Sequence, residues 1–195
     1  QISSYAVTAG KDPSFFNDAP DGVATHSGFY RLTPDGKVKK ERNSPDHRQR
    51  WLIPVEPEEG DAPLFMGLLE NALAHDPGQK LLLQQVFGAI LFGRLSVDYQ
   101  RAVIFFGAGS TGKSVLLEVL RSFFPEDRAT SISPDGFNDN YNLGNLAASA
   151  INTYEELPDG NSISSPQFKA LVSGGTLTGR PIYDSPVQFK GRAAH

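Results

Sequence analysis

The chain has 195 residues, 39% of them hydrophobic and 21% charged, and its formal net charge is −4. These values are ordinary for a globular protein and exclude a globally basic nucleic-acid binder, so a nucleic-acid contact would need a local patch. The absence of cysteine excludes disulfides and cysteine-based metal sites. No apolar stretch approaches the roughly 18 residues of a membrane span. We therefore expect a cytoplasmic protein that does not bind a membrane.

Residues 1–60 are predicted to form a small β-rich region. Turn signals flank residues 28–32, which read as a strand, and residues 37–41 read as the hairpin partner of that strand. Residues 50–55 predict a further strand. Basic side chains concentrate here, and we favour a solvated hairpin face over a nucleic-acid contact for them: Lys37, Lys39, Lys40, Arg42, Arg48 and Arg50.

Residues 61–100 are predicted to be a helical segment. Asp61 is a suitable N-cap, with Pro63 in the first turn of a helix that Asp76-Pro77-Gly78 ends. A second helix is predicted from about Gln79 to Leu91, because its apolar residues recur at helical spacing.

Residues 101–195 contain a motif that fits G-x-x-x-x-G-K-[ST]. It reads Gly107-Ala108-Gly109-Ser110-Thr111-Gly112-Lys113-Ser114. The apolar run 102–106 before it predicts a buried parallel strand, and residues 115–124 after it predict an amphipathic helix. Strand, glycine loop and helix in this order are the context that a phosphate-binding loop requires.

The phosphate-loop motif assigns roles to individual residues. The backbone N–H groups from Gly107 to Val115, together with the helix N-terminus, suit the phosphates of a nucleotide. Lys113 is expected to reach the β- and γ-phosphates, and the Ser114 hydroxyl to bind Mg²⁺. The motif therefore predicts a nucleotide and Mg²⁺ as cofactors.

A second chemical element follows about 40 residues after Lys113. Residues 129–133 predict a weak strand, residues 143–148 a short helix, and residues 150–154 a strand that ends at Glu155-Glu156. Adjacent residues of a strand point to opposite sides, so the two carboxylates have different roles. We assign Glu156 as the base that activates water and Glu155 to the metal side. The alternative is an ordinary acidic turn before Pro158.

These motifs, with Thr153 to Pro158, Phe168 to Leu171, Gly174-Gly175 and Arg180, resemble superfamily 3 helicases. The resemblance is to the primase–helicase branch of phages, phage satellites, plasmids and poxviruses. It implies an α/β fold, an AAA+-like P-loop NTPase core with a parallel sheet, preceded by the helical segment and the small β-rich region. It also implies that ATP hydrolysis drives movement along single-stranded DNA by a homo-hexameric ring.

In that family a hairpin after the acidic strand grips DNA, and residues 174–190 correspond to it. Lys169, Arg180 and Lys190 are the candidate DNA contacts that the resemblance implies. Thr176 stands where the family has an aspartate. The sensor asparagine and the arginine finger of the family would come after His195, so we expect these 195 residues alone to hydrolyse ATP weakly or not at all.

Two other functions remain compatible with the residues. A phosphotransferase would use Lys113 and Mg²⁺ to position ATP for a small acceptor, but it would need a lid with several arginines. A loader or assembly module would use ATP as a switch without sustained hydrolysis.

Overall fold

The computed structural model describes residues 19–73, 76–156, 165–180 and 185–195. The chain divides into two compact units, Gln1–Glu58 and Glu59–His195. The helices are α1 (Pro63–Ala72), α2 (Pro77–Leu91), α3 (Lys113–Ser122), α4 (Asn140–Leu146) and α5 (Pro166–Val172). The strands are β1 (Gly22–Ala24), β2 (Phe29–Leu32), β3 (Val38–Glu41), β4 (Ala129–Thr130), β5 (Ile151–Asn152), β6 (Thr176–Gly179) and β7 (Val187–Lys190).

The N-terminal unit contains an antiparallel sheet in the order β1-β2-β3. The predicted hairpin is confirmed, because β2 pairs with β3 from Phe29 opposite Glu41 to Leu32 opposite Val38. The predicted strand at residues 50–55 is wrong. This segment bonds to the sheet through the Ile53 N–H, which donates to the Ala24 carbonyl at 2.7 Å. Pro54 has no N–H to donate, so it cannot extend such a ladder.

The basic side chains of this hairpin have acidic neighbours. Lys39 lies 3.6 Å and Arg31 3.0 Å from carboxylate oxygens of Glu41, and Lys37 lies 3.2 Å from Asp35. The Arg31 guanidinium lowers the pKa of the Glu41 carboxyl. The local pairing of Lys37 and Lys39 fits a solvated hairpin face better than a phosphate-binding surface.

Helices α1, α2 and α3 share one apolar cluster in the second unit, built on Leu69, Leu83 and Leu116. The N-cap of α1 is Ala62, which makes no side-chain cap hydrogen bond, so the prediction of Asp61 as the cap is wrong by one residue. Asp76 begins α2, because its carboxylate accepts hydrogen bonds from the backbone N–H groups at positions 78 and 79.

A small parallel sheet lies at the centre of the second unit. β4 and β5 pair in parallel, and Ile151 of β5 forms a parallel bridge with Ala194. The Val103 N–H donates to the His195 carbonyl at 2.7 Å. The spatial order is therefore β4, β5, residues 194–195, and then the segment that leads into the glycine loop.

The prediction of a buried strand at residues 102–106 is wrong in two respects. Among the described residues this segment belongs to no strand, and its Ile104 and Phe106 side chains are 57% and 99% exposed. A buried strand needs a partner on each edge and cover on each face. Within the described residues, the segment makes a backbone hydrogen bond on one edge, from the Val103 N–H to the His195 carbonyl.

The antiparallel hairpin β6–β7 confirms the hairpin expected within residues 174–190. Leu177 on β6 lies opposite Phe189 on β7, and both contribute to a core cluster with Phe137, Leu143, Leu146 and Leu171. The opposite face of the hairpin is exposed and polar. No helix in the described part of the chain is long and apolar enough to span a membrane.

Candidate phosphate-loop site

The glycine loop ends at Gly112, a position where a residue with a side chain would be strained. Gly112 is the N-cap of α3 and has a φ of 86°. A Cβ atom on Gly112 would lie 2.7 Å from Cδ1 of Leu68 on helix α1. The positive φ therefore favours glycine at the point where the loop becomes the helix, and a side chain there would also displace the end of Leu68.

The Lys113 ammonium folds back over the loop. Its Nζ donates to the carbonyl oxygens of Gly107 at 3.0 Å and Ala108 at 2.6 Å, and lies 3.3 Å from Oγ1 of Thr111. The loop thus holds the ammonium group above its own backbone. A phosphate that enters the loop would offer stronger, charged acceptors to the same group.

The first turn of α3 presents backbone donors beside Lys113. Leu116 is the first residue whose N–H bonds within the helix, to the Gly112 carbonyl, and the N-cap supplies no side-chain acceptor. The N–H groups of Lys113, Ser114 and Val115 therefore precede the helical hydrogen-bond ladder. Ser114 and Val115 are exposed, as are residues 107–110. This donor set fits the phosphates of a nucleotide.

One cavity is lined both by residues at the start of α3 and by residues that follow β5. Lys113, Ser114 and Glu155 all line it, with Phe168 and His195 at other parts of the wall. Glu156 is exposed and does not contribute to the lining. The structure thus brings the two halves of the sequence prediction together through Glu155, the residue assigned to the metal side. The catalytic assignment of Glu156 stays a prediction.

Polar residues fix the strand that leads to Glu155. The Asn152 Oδ1 accepts hydrogen bonds from the Thr130 hydroxyl at 3.0 Å and from the Ile132 N–H at 2.8 Å. Its Nδ2 donates to the Ile132 carbonyl at 3.0 Å. The Asn152 side chain therefore continues the pairing of β4 with β5 beyond their two-residue ladder. The sequence showed only that Asn152 interrupts an apolar run.

His195 is a further polar residue of the cavity wall, which the sequence analysis did not assign to the site. Both ring nitrogens are buried without a hydrogen-bond partner among the described residues. Its ring meets those of Phe137 and Phe168 edge-on, with centroids 5.5 and 6.4 Å away. Burial lowers the pKa of His195 to about 4, so the imidazole is neutral at pH 7.

A divalent cation at this site would depend on few protein ligands. No group of three or more His, Cys, Asp or Glu residues that could hold a metal occurs in the described ranges. Mg²⁺ in nucleotide sites commonly takes one or two protein oxygens, with water and phosphate completing its shell. Ser114 and Glu155 on the same cavity wall fit that smaller requirement.

The candidate nucleic-acid residues lie on different elements. Lys169 lies in the last turn of α5, Arg180 follows β6, and Lys190 ends β7. The register places Lys190 opposite Thr176, whereas Arg180 follows Gly179 at the other end of the ladder. Lys169, Arg180 and Lys190 are all exposed. The hairpin therefore separates Arg180 from Lys190 along its length.

The comparisons with known proteins show the fold more clearly than the function. A model described as a family of unknown function, DUF5906, matches residues 105–195. No curated protein matches the chain.

Two solved structures are similar to it, the A form apo structure of the NrS-1 C-terminal region and the apo structure of the NrS-1 C-terminal region (305–718). Both have a TM-score of 0.57 and 21% identity, and the match covers 72% of this chain. It covers 33% and 34% of those chains, so this chain spans about a third of their length.

Proposed function

We propose that this chain is the nucleotide-binding part of an ATP-driven DNA helicase motor that acts in replication, of the superfamily 3 primase–helicase type. The observation that carries the proposal is the shared cavity of Lys113, Ser114 and Glu155. A phosphate loop alone binds nucleotide, whereas a carboxylate in the same cavity adds an anionic group that can hold Mg²⁺ or act on water. The structural likeness to the NrS-1 C-terminal region supports the fold of the proposed motor.

The residues of the loop bind and orient the phosphates. The N–H groups from Lys113 to Val115 point along the axis of α3, where the helix dipole favours negative charge. Lys113 exchanges its bonds to the Gly107 and Ala108 carbonyls for bonds to phosphate oxygens. ATP supplies the phosphoanhydride bond, and Mg²⁺ neutralises charge on the phosphates.

The two carboxylates that follow β5 act on the metal and on the attacking water. Glu155 lines the cavity and Glu156 follows it without lining it, and both residues are exposed. In the proposal Glu155 belongs to the metal side and Glu156 orients or deprotonates water. The reverse assignment, with Glu155 as the base, is also compatible with the cavity lining. The experiment below distinguishes the two assignments.

In the proposal, the motor moves along single-stranded DNA that passes through the pore of a homo-hexameric ring. The exposed face of β6–β7 carries Thr176, Thr178, Gln188 and Lys190, which offer hydrogen-bond donors and one positive charge to a phosphate backbone. The opposite face packs in the core, so the hairpin is anchored where it would contact DNA.

The decisive experiment measures ATP hydrolysis by the full-length protein that contains this chain, with and without single-stranded DNA. Glu155→Gln and Glu156→Gln are isosteric changes that remove one carboxylate each. We expect the variant that lacks the base to lose about 100-fold or more in kcat and to retain ATP binding. We expect Lys113→Ala to weaken ATP binding itself.

The outcomes separate the candidate functions. DNA-stimulated hydrolysis that depends on one of the two glutamates supports the motor. ATP binding without hydrolysis indicates a switch in a loader or assembly module. Phosphate transfer to a small acceptor, unaffected by DNA, indicates a phosphotransferase.

A further inference from the structure

Arg121 connects the helix of the phosphate loop to the strands of the parallel sheet. It lies in the last turn of α3, eight residues after Lys113. Eight residues of helix span about 12 Å, so Arg121 is far from the loop itself. The motif at Gly107–Ser114 does not include it, and the proposed chemistry above assigns it no role.

The Arg121 guanidinium makes two hydrogen bonds from one nitrogen. Nη1 donates to the Thr130 carbonyl at 3.0 Å and to the Thr153 hydroxyl at 2.7 Å. The Thr153 N–H also donates to the Thr130 carbonyl, at 3.0 Å. Three segments therefore meet at one point: the end of α3, strand β4, and the residue after β5.

Both acceptors of Arg121 are neutral oxygens, and the side chain is half-buried. A charged donor strengthens hydrogen bonds to such acceptors and restricts their geometry. Thr153 is 9% exposed, so water has little access to replace the guanidinium as a partner of its hydroxyl.

We propose that Arg121 is a positioning residue that sets the place of Glu155 relative to Lys113 and Ser114. Thr153 stands two residues before Glu155, and Lys113 begins the helix that Arg121 ends. The bond between Arg121 and Thr153 fixes the far end of that helix to the strand. A shift or rotation of α3 then moves Glu155 with it. The inference rests on the proposed function, because it concerns the geometry of that same site.

The test uses the full-length protein that contains this chain and compares variants that remove or retain each side of the Arg121–Thr153 contact. Thr153→Val removes the hydroxyl with little change of shape, and Thr153→Ser retains it. Arg121→Gln removes the charged donor, and Arg121→Lys retains the charge with a different geometry. Arg128→Gln is the matched control, because Arg128 pairs with Asp127 and donates to the Ala148 carbonyl at 3.2 Å, before β5, whereas Thr153 and Glu155 follow β5.

Misplacement of reacting groups by fractions of an ångström lowers the catalytic rate more than binding. We expect Arg121→Gln and Thr153→Val each to lower kcat for ATP on the order of tenfold to 100-fold, with KM changed by less than about threefold. Thr153→Ser should restore most of kcat, and Arg121→Lys part of it. The double variant should be no worse than the more severe single variant, because both remove the same contact.

The possible results are distinct. If the unmodified full-length protein that contains this chain does not hydrolyse ATP, the proposed function fails and the inference fails with it. If that protein hydrolyses ATP and Arg121→Gln lowers only the melting temperature, Arg121 is structural and the inference alone is wrong. A loss of kcat that matches the loss of folded protein, measured by circular dichroism at the assay temperature, also overturns it. An equal loss of kcat in Arg128→Gln would show that the effect is not specific to this contact, which would overturn it as well.

Discussion

Gly112 shows at the scale of one residue how the phosphate loop depends on the rest of the second unit. Its positive φ shapes the turn, and its missing side chain leaves room for Leu68 of α1. The glycine therefore belongs both to the binding motif and to the packing of α1 against α3. The motif alone indicates the first requirement, and the contact with Leu68 appears only in the folded chain.

We predict that Gly112→Ala lowers stability by about 1–3 kcal/mol, because the left-handed backbone strains any side chain and the new Cβ meets Leu68. Nucleotide affinity should fall together with stability. Gly109→Ala is the control for the fold, since no atom outside its chain neighbours lies within 4 Å of a Cβ at that position. Chemical denaturation of both variants measures the difference. Equal stability of Gly112→Ala and the unmodified chain would contradict the packing described here.

At the scale of elements, the hairpin β6–β7 depends on close contact with helix α4. A Cβ on Gly179 would lie 2.4 Å from the backbone nitrogen of Gly144 and 2.6 Å from the backbone carbon of Leu143. Backbone atoms cannot move aside as a flexible side chain can. The end of β6 next to Arg180 is thus placed by contact between two backbones.

We predict that Gly179→Ala destabilises the second unit by about 1–3 kcal/mol and displaces the end of the hairpin from α4. Gly88→Ala, near the end of α2, should act in the opposite direction. A Cβ there meets nothing within 4 Å, and alanine stabilises a helix interior by about 0.5–1 kcal/mol relative to glycine. Thermal melts followed by circular dichroism compare the two. If Gly179→Ala melts at the same temperature as the unmodified chain, β6 does not approach α4 this closely.

At the scale of the whole molecule, both units lose stability in acid, for different reasons. In the N-terminal unit, Arg31 lowers the pKa of Glu41 below its ordinary value of 4.5. That contribution is complete above pH 4.5 and is lost as the pH falls through the folded-state value. In the second unit, burial lowers the pKa of His195 from 6.5 to about 4. The unfolded chain therefore binds the proton first, and stability falls as the pH drops from 6.5 towards 4.

We predict that His195→Leu removes most of the pH dependence of the second unit between pH 6.5 and 4, a difference of at most about 3 kcal/mol. Glu41→Gln should reduce the pH dependence of the N-terminal unit below pH 4.5. Trp51, the single tryptophan, reports on the N-terminal unit by fluorescence, and all α-helices of the described residues lie in the second unit. Unfolding followed by both signals separates the two effects. An unchanged pH profile of the helical signal in His195→Leu would contradict the buried neutral imidazole.

Local patterns were sufficient to predict the elements whose residues are near one another in the sequence. The glycine loop, helix α3 and the β2–β3 hairpin follow from turn residues and from the spacing of apolar side chains, whereas the β6–β7 hairpin was expected only from the family resemblance. The same reasoning failed at residues 102–106 and 50–55. An apolar run does not determine which other strand, if any, pairs with each edge of the segment.

The sequence by itself determined that a glycine loop precedes a helix and that an acidic pair follows a short strand. Tertiary structure decided that residues 194–195 lie between the loop segment and β5, that Glu155 lines the cavity while Glu156 does not, and that Arg121 bonds to Thr153. Each of these facts depends on contacts between residues distant in the chain. Such contacts arise from the joint packing of several segments, which no local spacing encodes.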